Sequence, residues 1–308
     1  MEIPAAVGRV LRKLEPNNRV SIRAAERQAR DEIQEGDSGP VRCALARVMV
    51  EDWRNGWDEL AEPNERKAAL RKALEALDLA ARRRDRTHWY VDWKRGYILR
   101  HSARALDRPD DRDAAIACYR SAYEKLSAYT GLPPKRGEKA LRSLVVDWAE
   151  TLVYFDDVAN ALQYFDFTLP WRRRVPDDWH EWAHAFALHQ NGDYAASWQK
   201  LEPIVAQIDN PNAAAPASGA GTLIAPKARK TIHAHYYNDM RLVLAASYAR
   251  DGKRSEAQQQ IDRFQQLRRL AGETPWTRAI EAERGAFAQG SAGEKHWLKS
   301  LELAGVPK

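Results

Sequence analysis

Two loops with the same flanks constrain this chain more than any other feature. Ala185-x-x-Leu188-x-x-Asn191-Gly192-Asp193-Tyr194-x-x-Ser197 is followed, sixty residues on, by Ala245-x-x-Tyr248-x-x-Asp251-Gly252-x-x-x-x-Ala257. In each, a small residue stands seven before the glycine, a larger one four before it, and a second small residue five after it. That pattern reads as two helices joined by a tight turn. The glycine permits the left-handed conformation that ends the first helix. The small residues let the two helices approach closely. A unit of about 34 residues built this way cannot bury its own apolar face, but stacked copies can. The expected fold is therefore all-α, an array of antiparallel helix pairs.

Glycine and proline punctuate the rest of the chain into segments of helical period, and no stretch alternates like a strand. The periodicity predicts helices over 3–14, 20–34, 41–57, 62–84, 88–106 and 110–127. Further helices are predicted over 138–154, 158–168, 179–190, 194–208, 232–250, 255–270, 276–288 and 294–303. Thr87 is placed to cap the helix that begins at His88. The stretch 210–226 is alanine, proline, glycine and serine with no apolar period, and reads as a flexible insertion. The organisation expected is N-terminal pairs over 1–86, core repeats over 87–270 and C-terminal capping helices over 271–308.

Composition limits the function classes. Charged residues make up 30% of the 308 residues, and the mean hydropathy is −0.65. No apolar run approaches the roughly 20 residues that span a bilayer, so no membrane partner is expected. Met1-Glu2-Ile3-Pro4 lacks the basic and apolar regions of a secretory signal, which makes the cytoplasm the expected compartment. Cys43 and Cys118 sit in apolar helical stretches and read as small buried hydrophobes rather than a disulfide. The net charge of +6 invites a nucleic-acid reading. Arginines are interleaved with carboxylates, however, and the runs Arg82-Arg83-Arg84 and Arg172-Arg173-Arg174 fall at helix ends, where cations complement the dipole. Nucleic acid is thus not the expected partner, while an acidic protein or peptide segment fits the charge. Self-association is left open.

The helix pairs resemble tetratricopeptide (TPR) repeats. Ala245, Tyr248, Ala257, Ile261 and Phe264 match the small and bulky positions by which that family knits its helices together. Ala185, Leu188, Ser197, Leu201 and Ile204 match closely, and Ala149, Leu152, Ala161, Phe165 and Thr168 less so. Gly96, Leu99, Ala115, Tyr119 and Ala122 match if about seven residues are inserted between the helices. The resemblance is strongest from about 88 to 270. It departs where Glu181 and Arg241 stand in place of a tryptophan common in the family. It implies a right-handed α-solenoid and a non-enzymatic binding or scaffold role. The order of features is also similar to the TPR region that follows bacterial class III adenylate cyclase or winged-helix output domains, which implies a bacterial protein. No cyclase-like segment is present.

In that family certain positions of each first helix line a concave groove. Here they carry Tyr90, Trp93 and Tyr97 in one repeat, and Trp179, Trp182, Phe186 and His189 in another. The spacing puts each set on one helical stripe. The resemblance makes these seven the candidate partner-binding residues, because aromatics with a polar edge suit binding surfaces. The competing reading is that the stripes pack core. His180-Glu181-Trp182-Ala183-His184 matches the H-E-x-x-H zinc-hydrolase pattern, with Glu202 or His189 available as a third ligand. That reading and a carbohydrate-active helical enzyme are the enzymatic alternatives. His184 takes a knitting position in a well-matched repeat, which leaves no open cleft, so no cofactor or metal is expected. His233-x-His235 is a weaker metal pair. No phosphate-binding or nucleophile-elbow motif stands in a usable context.

Overall fold

A computed structural model describes residues 4–14, 19–55, 63–83, 88–129, 134–172, 178–209, 234–270 and 273–308. The described residues form fourteen helices and no strand. They are α1 Ala5–Leu14, α2 Arg19–Glu35, α3 Gly39–Asn55, α4 Pro63–Ala81, α5 Trp89–Ala105, α6 Asp110–Ala128 and α7 Pro134–Tyr154. The remainder are α8 Val158–Arg172, α9 Asp178–Gln190, α10 Tyr194–Asp209, α11 Ala234–Arg250, α12 Arg254–Leu270, α13 Arg278–Arg284 and α14 Ala292–Leu303. None is long and apolar enough to cross a membrane. The insertion read over 210–226, the cap Thr87, His233 and the Arg173-Arg174 pair lie outside the described residues.

One turn recurs through the chain. At Gly192 (φ 90°) and Gly252 (φ 83°) the backbone enters the left-handed region. The next N–H then reaches back five residues, Asp193 to Leu188 C=O and Lys253 to Tyr248 C=O, both within 2.9 Å. These bonds satisfy carbonyls that a helix end leaves free. Asp156 (φ 64°) and Asp107 (φ 53°) make the same turn, with Asp157 bonded to Leu152 C=O and Arg108 to Ala103 C=O. Aspartate tolerates this conformation better than most side chains. The Asp107 turn also explains the insertion between α5 and α6. Gly96 stands eleven residues before its turn, where Ala149, Ala185 and Ala245 stand seven before theirs. The extra residues are thus one added turn of α5 and a longer entry into α6.

The knitting residues are where close packing needs them. Ala115, Tyr119, Ala122, Ala149, Ala161, Phe165, Ala185, Leu201, Ala245 and Ala257 are fully buried. A Cβ on Gly96 would lie 3.0 Å from the Tyr119 ring and 3.1 Å from the Ala115 carbonyl, so any larger residue would have to push α5 and α6 a few tenths of an ångström apart. Ser197, buried between α9 and α10, donates to the Ala185 carbonyl at 2.7 Å.

The chain gathers into two compact units, Met1–Trp148 and Ala149–Lys308. The division falls inside α7. In unit 1, α5 packs on α3, α4 and α6, and α1 on α2 and α3. Helix α5 is therefore buried almost all round, Trp89 to Ser102 including the charged Lys94 and Arg100. Its N-cap is His88, whose Nδ1 accepts from the Tyr90 N–H at 3.0 Å. In unit 2, α11 is central, packing on α9, α10, α12 and α14. Arg241, 1% exposed, ties three helices by donating to Asp209 of α10 and Gln260 of α12.

Candidate functional site

The unit 1 stripe is closed over by its neighbours. Tyr90 is fully buried, Tyr97 is 4% exposed and Trp93 7%. The Trp93 indole N–H donates to Asp147 Oδ2 of α7 at 2.7 Å. The Tyr97 hydroxyl donates to Glu51 of α3 at 2.9 Å. In this conformation all three side chains are buried, and polar groups of α7 and α3 meet Trp93 and Tyr97.

Beside the stripe lies a charge the sequence reading passed over. Lys94 is 2% exposed. Its ammonium sits 3.4 Å from the Trp93 ring centre, with the Tyr97 and Tyr90 rings at 5.7 and 5.8 Å. The same Asp147 oxygen that holds Trp93 takes the Lys94 ammonium at 3.4 Å. Burial pulls the Lys94 pKa down to about 7, against the raising pull of Asp147. Arg100 and Arg47 stand 4.9 and 5.9 Å from the Tyr97 ring. The Tyr90 hydroxyl is buried without a hydrogen-bond partner, and burial pushes its pKa up. Such a gathering of perturbed ionisable groups and aromatics is a feature that functional sites share with structural ion-pair networks. A lysine inside an aromatic stripe, and an aspartate inside the apolar run Leu144-Val145-Val146-Asp147-Trp148, were the signals in the sequence.

The unit 2 stripe is also core along most of its length. Trp182 is 4% exposed, Phe186 2% and His189 0%; only Trp179 is half-buried. Trp182 stacks on Phe186 at 5.8 Å, and Trp179 leans on Trp182 at 4.5 Å. Phe186 is covered by Tyr154, Trp297 and Phe287, with ring centres 5.2 to 6.0 Å away. Tyr154 comes from the end of α7, and Phe287 and Trp297 from the C-terminal segment folded back onto α9. His189 Nδ1 and Ser247 Oγ are 2.9 Å apart, and burial holds the imidazole pKa well below its ordinary value. A neutral His189 with its proton on Nδ1 donates to Ser247, which reaches Ser197 at 2.9 Å.

The H-E-x-x-H residues do not converge. His184 lies flat on the Phe165 ring at 5.0 Å, and His180 meets the same ring from the side at 5.8 Å. Glu181 accepts from Lys200 at 3.1 Å. Glu202 accepts from the Tyr248 hydroxyl at 2.6 Å, and burial, followed by this contact, raises the tyrosine pKa. Among the described residues no three histidine, cysteine, aspartate or glutamate side chains gather as metal ligands. The motif is divided between packing against α8 and pairing with α10.

With this geometry in view, comparison with known proteins adds nothing further: no protein-family model matches the chain, and no characterised protein matches it.

Proposed function

We propose that this chain is a non-enzymatic binding module, a right-handed solenoid of degenerate TPR-like helix pairs that grips a peptide or protein segment. The observation that carries the reading is the recurring hairpin. Four turns with one hydrogen-bond pattern join helices whose facing residues are small and buried. Repeats whose small facing residues serve to stack neighbours present extended surfaces. The hydrolase alternative is weakened by the same helices, since Glu181, His184 and Glu202 are each committed to a different packing contact. The partner first meets the half-buried end of the unit 2 stripe at Trp179, and reaches the remaining aromatics only where a covering element moves. Arginines beside the stripes would hold carboxylates of an acidic segment.

The test is selection of peptides on the purified full chain from a library that includes acidic sequences. A selected peptide should bind Trp179→Ala at least tenfold more weakly while the melting temperature of that variant is kept. Turnover of a peptide or ester substrate that depends on Glu181 or His184 would replace this reading with the hydrolase.

A further inference from the structure

We propose that α14 is a pH-released cover over the unit 2 aromatic stripe: a neutral His189 lets α14 close over Phe186, and a protonated His189 frees it. Helix α14 lies within unit 2, packed on α9, α11 and α13. It sets Trp297 on Phe186, ring centres 5.2 Å apart, and Phe186 in turn stacks on Trp182. The same helix seals His189 at the end of the stripe. Its His296 and Trp297 rings lie 5.3 and 5.5 Å from the imidazole, and Tyr194 of α10 stands at 5.4 Å. Two of these three rings leave with α14, so its release uncovers Phe186 and wets His189 together.

The direction is set by the atoms around the imidazole. His189 is fully buried, and a second proton gives it an N–H on both ring nitrogens. Nδ1 has Ser247 Oγ at 2.9 Å. Nε2 has no hydrogen-bond partner among the described residues. The charged form therefore buries a cationic donor with nothing to accept from it. Its neighbours add to the cost. From α14 comes His296 and from α11 Arg250, and both oppose a charge on His189. Tyr194 and Ser197 of α10, Ser247 of α11 and Trp297 of α14 bring hydroxyls and rings, and a ring holds a cation less well than the water it replaces. The carboxylates on these elements and on α13 are turned to other partners. Asp193 accepts from Asn191, Asp251 from Trp198, Glu294 from the Gly290 N–H, Glu302 from Lys299, and Glu281 from two indoles.

Arg250 also ties α14 down, donating to Ser300 Oγ at 2.8 Å and to the His296 carbonyl at 3.1 Å. Arginine stays charged throughout, so that tie does not change with pH. On His296, which is half-buried, the pulls are mixed: burial and Arg250 oppose its charge and the His189 carbonyl favours it. The sign therefore rests on His189. With α14 closed, burial keeps its pKa well below the ordinary 6.5; once wetted it returns there. Between these limits the open state binds more protons, so a fall in pH favours opening. Well above 6.5 His189 is neutral in both states and its bias vanishes. Glu281 pulls the other way, because desolvation raises its pKa and Trp297 leaves it on opening. A comparison at fixed Glu281 removes that contribution.

Amide hydrogen exchange of α14 in the full chain, with α12 as the reference for global unfolding, reads this directly. His189→Asn keeps a donor for Ser247 and does not titrate. After correction for intrinsic rates, the ratio of the wild-type to the His189→Asn opening constant for α14 should rise about tenfold from pH 7.5 to pH 5.5. In the wild type α14 should open more often than α12 at both pH values. A ratio that does not change with pH overturns the proposal, as does an α14 that opens only together with α12. Should His189→Asn not fold, His189→Gln supplies the same ratio. That the uncovered stripe meets a partner rests on the binding reading above. The exchange is measured without a partner, so the two fail separately: a pH-released α14 on a chain that selects no peptide keeps the cover and sinks the binding reading, and a selected peptide with an unchanging ratio does the reverse.

Discussion

Replacing Trp182 with alanine separates a core stripe from an exposed one. Trp182 is 4% exposed, stacked on Phe186 and in contact with Trp179. A tryptophan buries roughly 200–250 Å². At about 25 cal/mol per Å² its burial contributes at most ~5–6 kcal/mol, since the unfolded chain already shields part of that area. Truncations of buried aromatics cost roughly 3–5 kcal/mol once cavity and relaxation are included. Unit 2 spans Ala149–Lys308, a size at which each kcal/mol moves the melting temperature by about 2–4 °C. The unit 2 transition should therefore fall by about 6–20 °C, followed by far-ultraviolet circular dichroism. A groove-lining tryptophan would behave otherwise, with stability nearly kept and about 2 kcal/mol lost from binding. A fall of less than about 2 °C would refute the reasoning, because the contacts to Phe186 and its cover would then contribute no net stability.

Other substitutions test the hairpins and the cap. Gly96→Ala places a Cβ against Tyr119 and the Ala115 carbonyl and should destabilise unit 1 by about 1–3 kcal/mol in denaturant unfolding. Gly192→Ala and Gly252→Ala meet no atom within 4 Å, so their cost, about 1–2 kcal/mol each by thermal unfolding, should be conformational alone. Glu281 is half-buried and accepts from the Trp276 and Trp297 indoles at 3.1 and 3.0 Å, and its desolvation raises its pKa. A raised carboxyl pKa contributes stability that is present at low pH and lost as pH rises through the folded value. Glu281→Gln should thus gain on the wild type in denaturant titrations as the pH is raised from the ordinary carboxyl range of about 4. Metal analysis of the purified chain should find no stoichiometric zinc, and His184→Ala should leave that result unchanged.

The sequence by itself determined the local features: the fourteen helices among the described residues, to within a few residues of their ends, and hairpin turns at Gly192 and Gly252. These were legible because they depend on neighbours in the chain, on helical period and on the need for a left-handed residue where a helix stops. The turns at Asp107 and Asp156 were harder to read, because aspartate reaches the same conformation without the signature of glycine. What the aromatic stripes do was decided only by the tertiary structure. Trp93 meets Asp147 across 54 residues, and Phe186 is covered by Phe287 and Trp297 from the far end of the chain. A stripe at helical spacing is the same string of residues whether a distant helix lies over it or water does. Which of the two holds is settled by contacts that local periodicity does not encode. The buried charge of Lys94 follows from the same closure, since its pKa is set by three helices that only the fold brings together.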